Sequence, residues 1–332
     1  MKIYTALALI YLANLQGETL EPGFPVTTYC LSGKPDVFVN VSYTFWTARE
    51  EGLSSSIANV SLVGDPSLQQ GKVAYPSWQA VPGFKVGIGA YLNYDGWDLE
   101  ATYTWFKNRK STFSSFEGTP NQTVPIFFPA NFLGPVDETE SMWNNRFNRV
   151  DLLLGRGSYL GNRLTSKPCF GLLGASDLQT FNIDYITETL FEPYIVSTQS
   201  RQKWFGIGPY LAYKNSFYFL YGDEYHWAFF IDSGAALTWG QYKTKTITSD
   251  NSGNLFFDTK SSFYNMEALL EIALGLRFEI SFSEENAWSL LCQLGWEAQT
   301  LFGHNRMTLW NSANTGNNYG MQGLTLKAEL AF

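Results

Sequence analysis

The sequence predicts an all-β chain, folded as a single antiparallel transmembrane β-barrel of about ten strands with short periplasmic turns and long extracellular loops. Three observations carry this expectation. Apolar and polar residues alternate with period two over many segments, with the charges confined to one face. Aromatic residues make up 17% and charged residues only 16% of the 332 residues, yet no run of about eighteen apolar residues follows the N-terminus, so helical spans are excluded. The connections between alternating segments are long and short by turns, as in outer-membrane barrels.

Residues 1–17 read as a signal peptide, with Lys2, an apolar stretch from Ile3 to Ala13 and a small-residue end at Gly17. A proline-containing periplasmic lead, 18–35, precedes the barrel, 36–332. The first strand, 36–47, places Val37, Val39, Val41, Tyr43 and Phe45 on one face. A polar connection, 48–80, leads to a hairpin over 82–107 that turns at Asp95-Gly96. Its second strand puts Trp97, Leu99, Ala101, Tyr103 and Trp105 opposite Asp98, Glu100, Thr102 and Thr104. Trp97 and Trp105 would stand roughly 27 Å apart along the strand. At the tilt of a membrane barrel that becomes about 20 Å, close to the height of the apolar band between aromatic girdles. Trp288 and Trp296 repeat the spacing.

A second long connection, 108–143, precedes a strand over 144–158 and an extended region over 163–190, which is expected to break near Ala175–Asp177. A loop over 191–200 then leads to a strand over 201–214, with a turn at Lys214-Asn215-Ser216. The segment 217–246 is interrupted near 222–224, and a Ser/Asp/Asn/Gly loop spans 247–260. Strands over 261–282, 286–302 and 319–332 complete the count, separated by Ser283-Glu284-Glu285 and a polar loop over 303–318. The helix propensity of Met266–Leu274 is outweighed by alternation that continues to Ile280. The two longest extended regions leave room for twelve strands. The last strand ends in Phe332, the assembly signal expected for a barrel inserted by the outer-membrane assembly machinery.

Several segments resemble the Legionella-type major outer membrane proteins, a porin-like family also found in Chlamydia-related bacteria. They are GFKVGIGAYLNYDGWDLEATYTWF, RFNRVDLLLGRGSYLGNRLTSKPCFGLLGA, WFGIGPYLAYKNSFYFLYGD, LLEIALGLRFE and QGLTLKAELAF, in that order along the chain. The resemblance implies a surface-exposed, pore-forming barrel in the cell outer membrane. It supplies no catalytic motif, and the long loops lie outside it.

The candidate pore lining is the inward-facing charge set: Lys85, Asp98, Glu100, Arg149, Asp151, Asp232, Glu271, Arg277, Glu279, Glu297, Lys327 and Glu329. Carboxylates outnumber bases, so weak cation preference is expected. The alternative is that these charges pair across strands and plug a narrow lumen, leaving a structural barrel or surface adhesin. Loops 48–80 and 108–143 are long enough to bind a host or surface ligand. The net charge of −8 argues against nucleic acid. No enzyme motif, metal cluster or cofactor pattern is present, and His226 and His304 fall in segments read as irregular or looped, where His304 would be solvated. Expected partners are outer-membrane lipid and the assembly machinery. Cys30, Cys169 and Cys292 are an odd set, which admits a homo-oligomer joined by an intermolecular disulfide, although Cys292 suits an apolar position equally well.

Overall fold

A computed structural model describes residues 37–61, 71–92, 96–115, 121–126, 136–160, 163–188, 192–222, 225–282, 288–307 and 317–332. The expected signal peptide, the periplasmic lead and Cys30 lie outside the described residues, as does the Ser283-Glu284-Glu285 turn. In chain order the strands are β1 (Val37–Glu50), β2 (Ser56–Ser61), β3 (Lys72–Ala74), β4 (Ala80–Tyr91), β5 (Trp97–Ser115), β6 (Asn121–Pro125) and β7 (Glu138–Arg156). They continue with β8 (Ser158–Tyr159), β9 (Leu164–Thr187), β10 (Tyr194–Tyr221), β11 (Tyr225–Asp250), β12 (Leu255–Ser281), β13 (Ser289–Asn305) and β14 (Asn317–Ala331).

Ten of these form one closed antiparallel wall in the order β1-β4-β5-β7-β9-β10-β11-β12-β13-β14, with β14 paired back onto β1. The short β8 pairs with the start of β9. The seam runs from Phe38 opposite Ala331 to Glu50 opposite Tyr319 without a register shift. The return of β14 to β1 joins the first and last strands of the wall, the condition for strands to cross hydrocarbon. Val41, Ile88, Leu152, Leu172, Ile231, Leu274 and Leu326 all face outward and exposed. In water such a surface would collapse; around a closed barrel it is the lipid-facing band. Trp97, Ile272 and Leu326, on three different strands, all point out of the wall.

Alternation locates the ten crossings and their facing, but the connections differ from expectation. The turn placed at Lys214-Asn215-Ser216 is uninterrupted strand: β10 runs through it, paired to β9 on one side and β11 on the other, and Lys214 turns inward to Glu100. β10 instead ends at Tyr221, and the antiparallel β11 begins at Tyr225. The break expected at Ala175–Asp177 is likewise continuous β9, held in register by both neighbours. The polar loops expected over 191–200 and 247–260 are mostly strand. There β10 and β11 zip together through hydroxyl pairs such as Thr198 with Thr248 at 3.0 Å and Ser200 with Thr246 at 3.1 Å. Only residues 251–254 remain as the turn, closed on Asp250, which accepts from the Ser252 and Asn254 amides. The outer excursions of β9 to β12 are therefore built as protruding ladder, so long loops do not alternate strictly with short turns.

The connection read as 48–80 contains β2 and β3, and that read as 108–143 contains β6. These three strands make a separate small sheet in the order β3-β2-β6 at the outer mouth. It is tied down by the Tyr185 hydroxyl, which donates to the Ser55 carbonyl at 2.9 Å. Below it Trp78 fills the place in the wall left where β4 begins, packed edge-on to Trp143 at 5.7 Å and beneath the Arg49 guanidinium.

Position in the band sets the expected cost of a charge on the outer wall. Val41→Arg, midway along β1, is expected to destabilise the barrel by about 2–4 kcal/mol in chemical unfolding from lipid vesicles. Thr47→Arg, beyond Phe45 on the same face, is expected to cost about 1 kcal/mol or less.

Candidate functional site: the lumen

Because each wall strand alternates, the side chains opposite the lipid face converge on the barrel axis. All twelve charges singled out from the sequence turn inward and line two chambers. The lower, of about 110 Å³, is bordered by Asp98, Arg277, Glu279 and Glu329. The middle one, of about 150 Å³, is bordered by Lys85, Arg149, Asp151, Asp232, Glu271 and Glu297. Glu100, Lys214 and Lys327 line both.

The charges are paired, and four pairs join strands that are not neighbours, the fourth being Lys167 on β9 with Asp98 on β5. Lys85 on β4 meets Glu297 on β13 at 2.5 Å; Arg149 on β7 meets Glu271 on β12 at 2.5 Å; Lys214 on β10 meets Glu100 on β5 at 2.8 Å. Lys167 meets Asp98 at 2.5 Å, Arg149 also meets Asp151 at 2.8 Å, and Lys327 meets Glu329 at 2.7 Å. Neutral donors complete the carboxylate shells: Asn40 Nδ2 donates to Glu100, the Tyr218 hydroxyl to Glu279 and the Tyr210 hydroxyl to Glu271. Asp232 differs, since its Oδ1 has no hydrogen-bond partner. Buried charge is tolerated only with such pairing, because removing one partner strands the other in a poorly solvated space.

Above the chambers lies a dry neck that sequence reasoning did not anticipate. Trp46, Phe106, Trp143, Phe147, Tyr185, Tyr242 and Tyr319 are all fully buried there. At its centre is His304, which is 0% exposed rather than solvated in a loop. Its Nε2 lies 2.8 Å from Asp177 Oδ2 on β9, and its Nδ1 lies 3.0 Å from Glu267 Oε2 on β12. Trp204 packs edge-on to the ring at 5.0 Å. Asn145 donates to Asp177 at 2.6 Å, and the Tyr319 hydroxyl donates to Asn145 at 2.9 Å. Gln179 donates to Glu50 at 2.9 Å. His226 is also in a strand, β11, and is buried.

The neck lies at the outer edge of the lipid band: Phe302, exposed on the outer face of β13, stands two residues before His304, and Glu267 lies between the exposed Leu270 and Tyr264 on β12. The imidazole is held between the Glu267 and Asp177 carboxylates, one at each ring nitrogen. Strand alternation would turn His304 outward. Gly303, at a φ of 69° that favours glycine, carries a register shift between Leu301 and Asn305 that swings the imidazole inside.

On the outer wall the expected girdle residues point into lipid. Trp97 meets Phe170 edge-on at 6.0 Å, Trp105 stacks on Phe84 at 5.4 Å, and Trp288 stacks on Phe332 at 5.5 Å. Trp296 is half exposed. Phe332 pairs through its backbone with Val37, so the chain's last residue closes the lower end of the seam. Cys169 is a buried free thiol, and Cys292 is a free thiol on the outward face of β13. Among the described residues no group of His, Cys, Asp and Glu is arranged to hold a metal ion.

A closed ten-stranded antiparallel wall with an outward apolar band and a charged interior defines a transmembrane barrel of the Gram-negative outer membrane. Residues 39–332 match the family described as the Legionella pneumophila major outer membrane protein precursor, and the chain belongs to that family. No curated protein matches it significantly. Among solved structures, the outer membrane protease OmpT from Escherichia coli is similar at 12% identity and a TM-score of 0.47, covering 92% of this chain and 99% of that one. A FadL homologue from Pseudomonas aeruginosa is similar at 8% identity and a TM-score of 0.25, covering 90% of each chain. The toluene transporter TodX from Pseudomonas putida is similar at 7% identity and a TM-score of 0.24, covering 91% of this chain and 90% of that one.

His304→Ala is expected to cost about 3–5 kcal/mol in urea unfolding, because it leaves Asp177 and Glu267 buried without their partner.

Proposed function

We propose that the barrel is a pore-forming protein that passes ions and small hydrophilic solutes, and that the outer neck holds it closed in this conformation. The observation that carries this reading is the pair of charged chambers. They share Glu100, Lys214 and Lys327, and so make a polar route through the lower and middle lumen that ends beneath a dry aromatic constriction. A hydrophobic constriction above a hydrated, charge-lined path is a means of gating by dewetting. The eight carboxylates Asp98, Glu100, Asp151, Asp232, Glu271, Glu279, Glu297 and Glu329 face the six bases Lys85, Arg149, Lys167, Lys214, Arg277 and Lys327, which supports a weak preference for cations. The burial of His304 supports a non-catalytic barrel, since the ring is closed to substrate and water.

The sealed neck also supports a second reading, a structural or adhesive surface barrel that does not conduct. Planar-bilayer recording separates the two. The refolded chain is expected to open rarely. Trp143→Ala with Tyr319→Ala is expected to raise open probability by about tenfold or more, with the barrel still folded by its gel mobility. Asp232→Asn is expected to weaken the cation preference in reversal-potential measurements. Silent bilayers with both the parent and the neck variant would favour the non-conducting reading.

A further inference from the structure

Beyond the lipid band on one side of the barrel, the outer wall carries two successive ladder rows dominated by bases. The first runs Lys107, Arg146, Leu178, Lys203, Lys243 and Ser262 across β5 to β12. The second, one step further out, runs Arg109, Asn144, Thr180, Arg201, Lys245 and Lys260. Neither row contains a carboxylate. The outward carboxylates Asp258, Glu140 and Asp184 enter only further up their strands. Like charges stand directly opposite one another at Lys107 and Arg146, Lys203 and Lys243, Arg201 and Lys245, and Lys245 and Lys260. Directly opposed like charges destabilise a sheet. Among the described residues none of these eight bases has an ion-pair partner, so no carboxylate of the described chain neutralises them and a bound anion would.

The wall beneath them is shaped to receive one. Arg146, Arg201, Lys203 and Lys243 line a groove of about 350 Å³ floored by Leu178 and Phe205, with one carboxylate, Asp177, whose Oδ2 is engaged by His304. Toward the membrane side of the bases the outer face turns apolar: Val150 stands four residues from Arg146 on β7, Phe205 two from Lys203 on β10, Trp239 four from Lys243 on β11 and Tyr264 four from Lys260 on β12, whereas Phe113 and Leu255 are exposed again further out. The groove faces sideways toward the bilayer, at the level where the headgroups of the outer leaflet meet water.

We infer that this groove binds the phosphorylated glycolipid of the outer leaflet. The guanidinium and ammonium groups hold its sugar phosphates, and its acyl chains lie along the apolar wall below. Arginine offers phosphate a two-pronged donor and lysine a mobile point charge, so a mixed cluster suits phosphates borne on a sugar. A soluble polyanion would use the charge but not the adjoining apolar wall. The inference rests on the outer-membrane location and not on whether the lumen conducts.

The test uses the full refolded chain in detergent, with bisphosphorylated lipid A, dephosphorylated lipid A and heparin as probes, read by native mass spectrometry and by the melting midpoint. Lipid A is expected to bind at least tenfold more tightly than its dephosphorylated form, with an affinity that falls as salt rises. The variant Arg146→Gln/Arg201→Gln/Lys203→Gln/Lys243→Gln is expected to lose at least tenfold in lipid A affinity, whereas Arg163→Gln at the opposite end is expected to lose none. Without lipid the fourfold variant is expected to melt at or above the parent, and lipid A is expected to raise only the parent's midpoint. Equal affinity of the parent for both lipids overturns the inference, as does unchanged binding by the fourfold variant. Heparin that binds while lipid A does not assigns the rows to a soluble polyanion and also overturns it. If the fourfold variant does not fold, the parent's discrimination between the two lipids decides alone.

Discussion

Backbone hydrogen bonding is the constraint on which the structure depends. Hydrocarbon offers no partner for an amide, so a sheet survives there only if its last strand returns to its first. In this chain that return is the pairing of β14 with β1, extended by the mutual backbone bonds of Phe332 and Val37. Once the wall is closed, the period-two geometry of a strand divides every sequence neighbour between lipid and lumen. The exposed Val39, Val41, Tyr43 and Phe45 are then solvated by lipid, and Asn40, Ser42, Thr44 and Trp46 between them become interior.

The interior that results is heterogeneous along the axis. The lower and middle lumen are filled by ion pairs drawn from strands on opposite sides of the wall, which act as cross-braces between β4 and β13, β7 and β12, and β5 and β10. The outer neck is packed like a soluble core around one buried imidazole and its two carboxylates. The chambers retain space and charge, whereas the neck is filled by buried aromatic side chains. A single wall thus carries a polar passage and its closure in series. The closure draws its residues from around the wall, with Trp46 on β1, Phe106 on β5, Trp143 and Phe147 on β7, Tyr242 on β11 and Tyr319 on β14.

Much of this was legible in the sequence because the lipid band imposes a strict alternation. The ten crossings, the outward tryptophans and all twelve inward charges follow from parity alone. What was missed lies where partners distant in sequence override local signals. Lys214-Asn215-Ser216 has turn composition, but ladder bonds on both sides and the Lys214 pairing with Glu100 keep it extended. Lys214 itself would have been placed inward by parity had β10 been read as continuous. The polar ends of β10 and β11 look like loops because no lipid demands apolar residues there. His304 was invisible for a different reason: Asp177 and Glu267 come from remote strands, and the Gly303 bulge reverses the parity by which the other interior residues were found.

The division of each strand between lipid and lumen is tested most directly by single-cysteine labelling along β12. An environment-sensitive fluorophore is attached in turn at residues 268 to 279, and quenching by brominated lipid is recorded in reconstituted vesicles. Strong quenching at 268, 270, 272, 274, 276 and 278, with little at the positions between, is the result expected of the closed barrel. A repeat near 3.6 residues, or protection from lipid at every position, would contradict it.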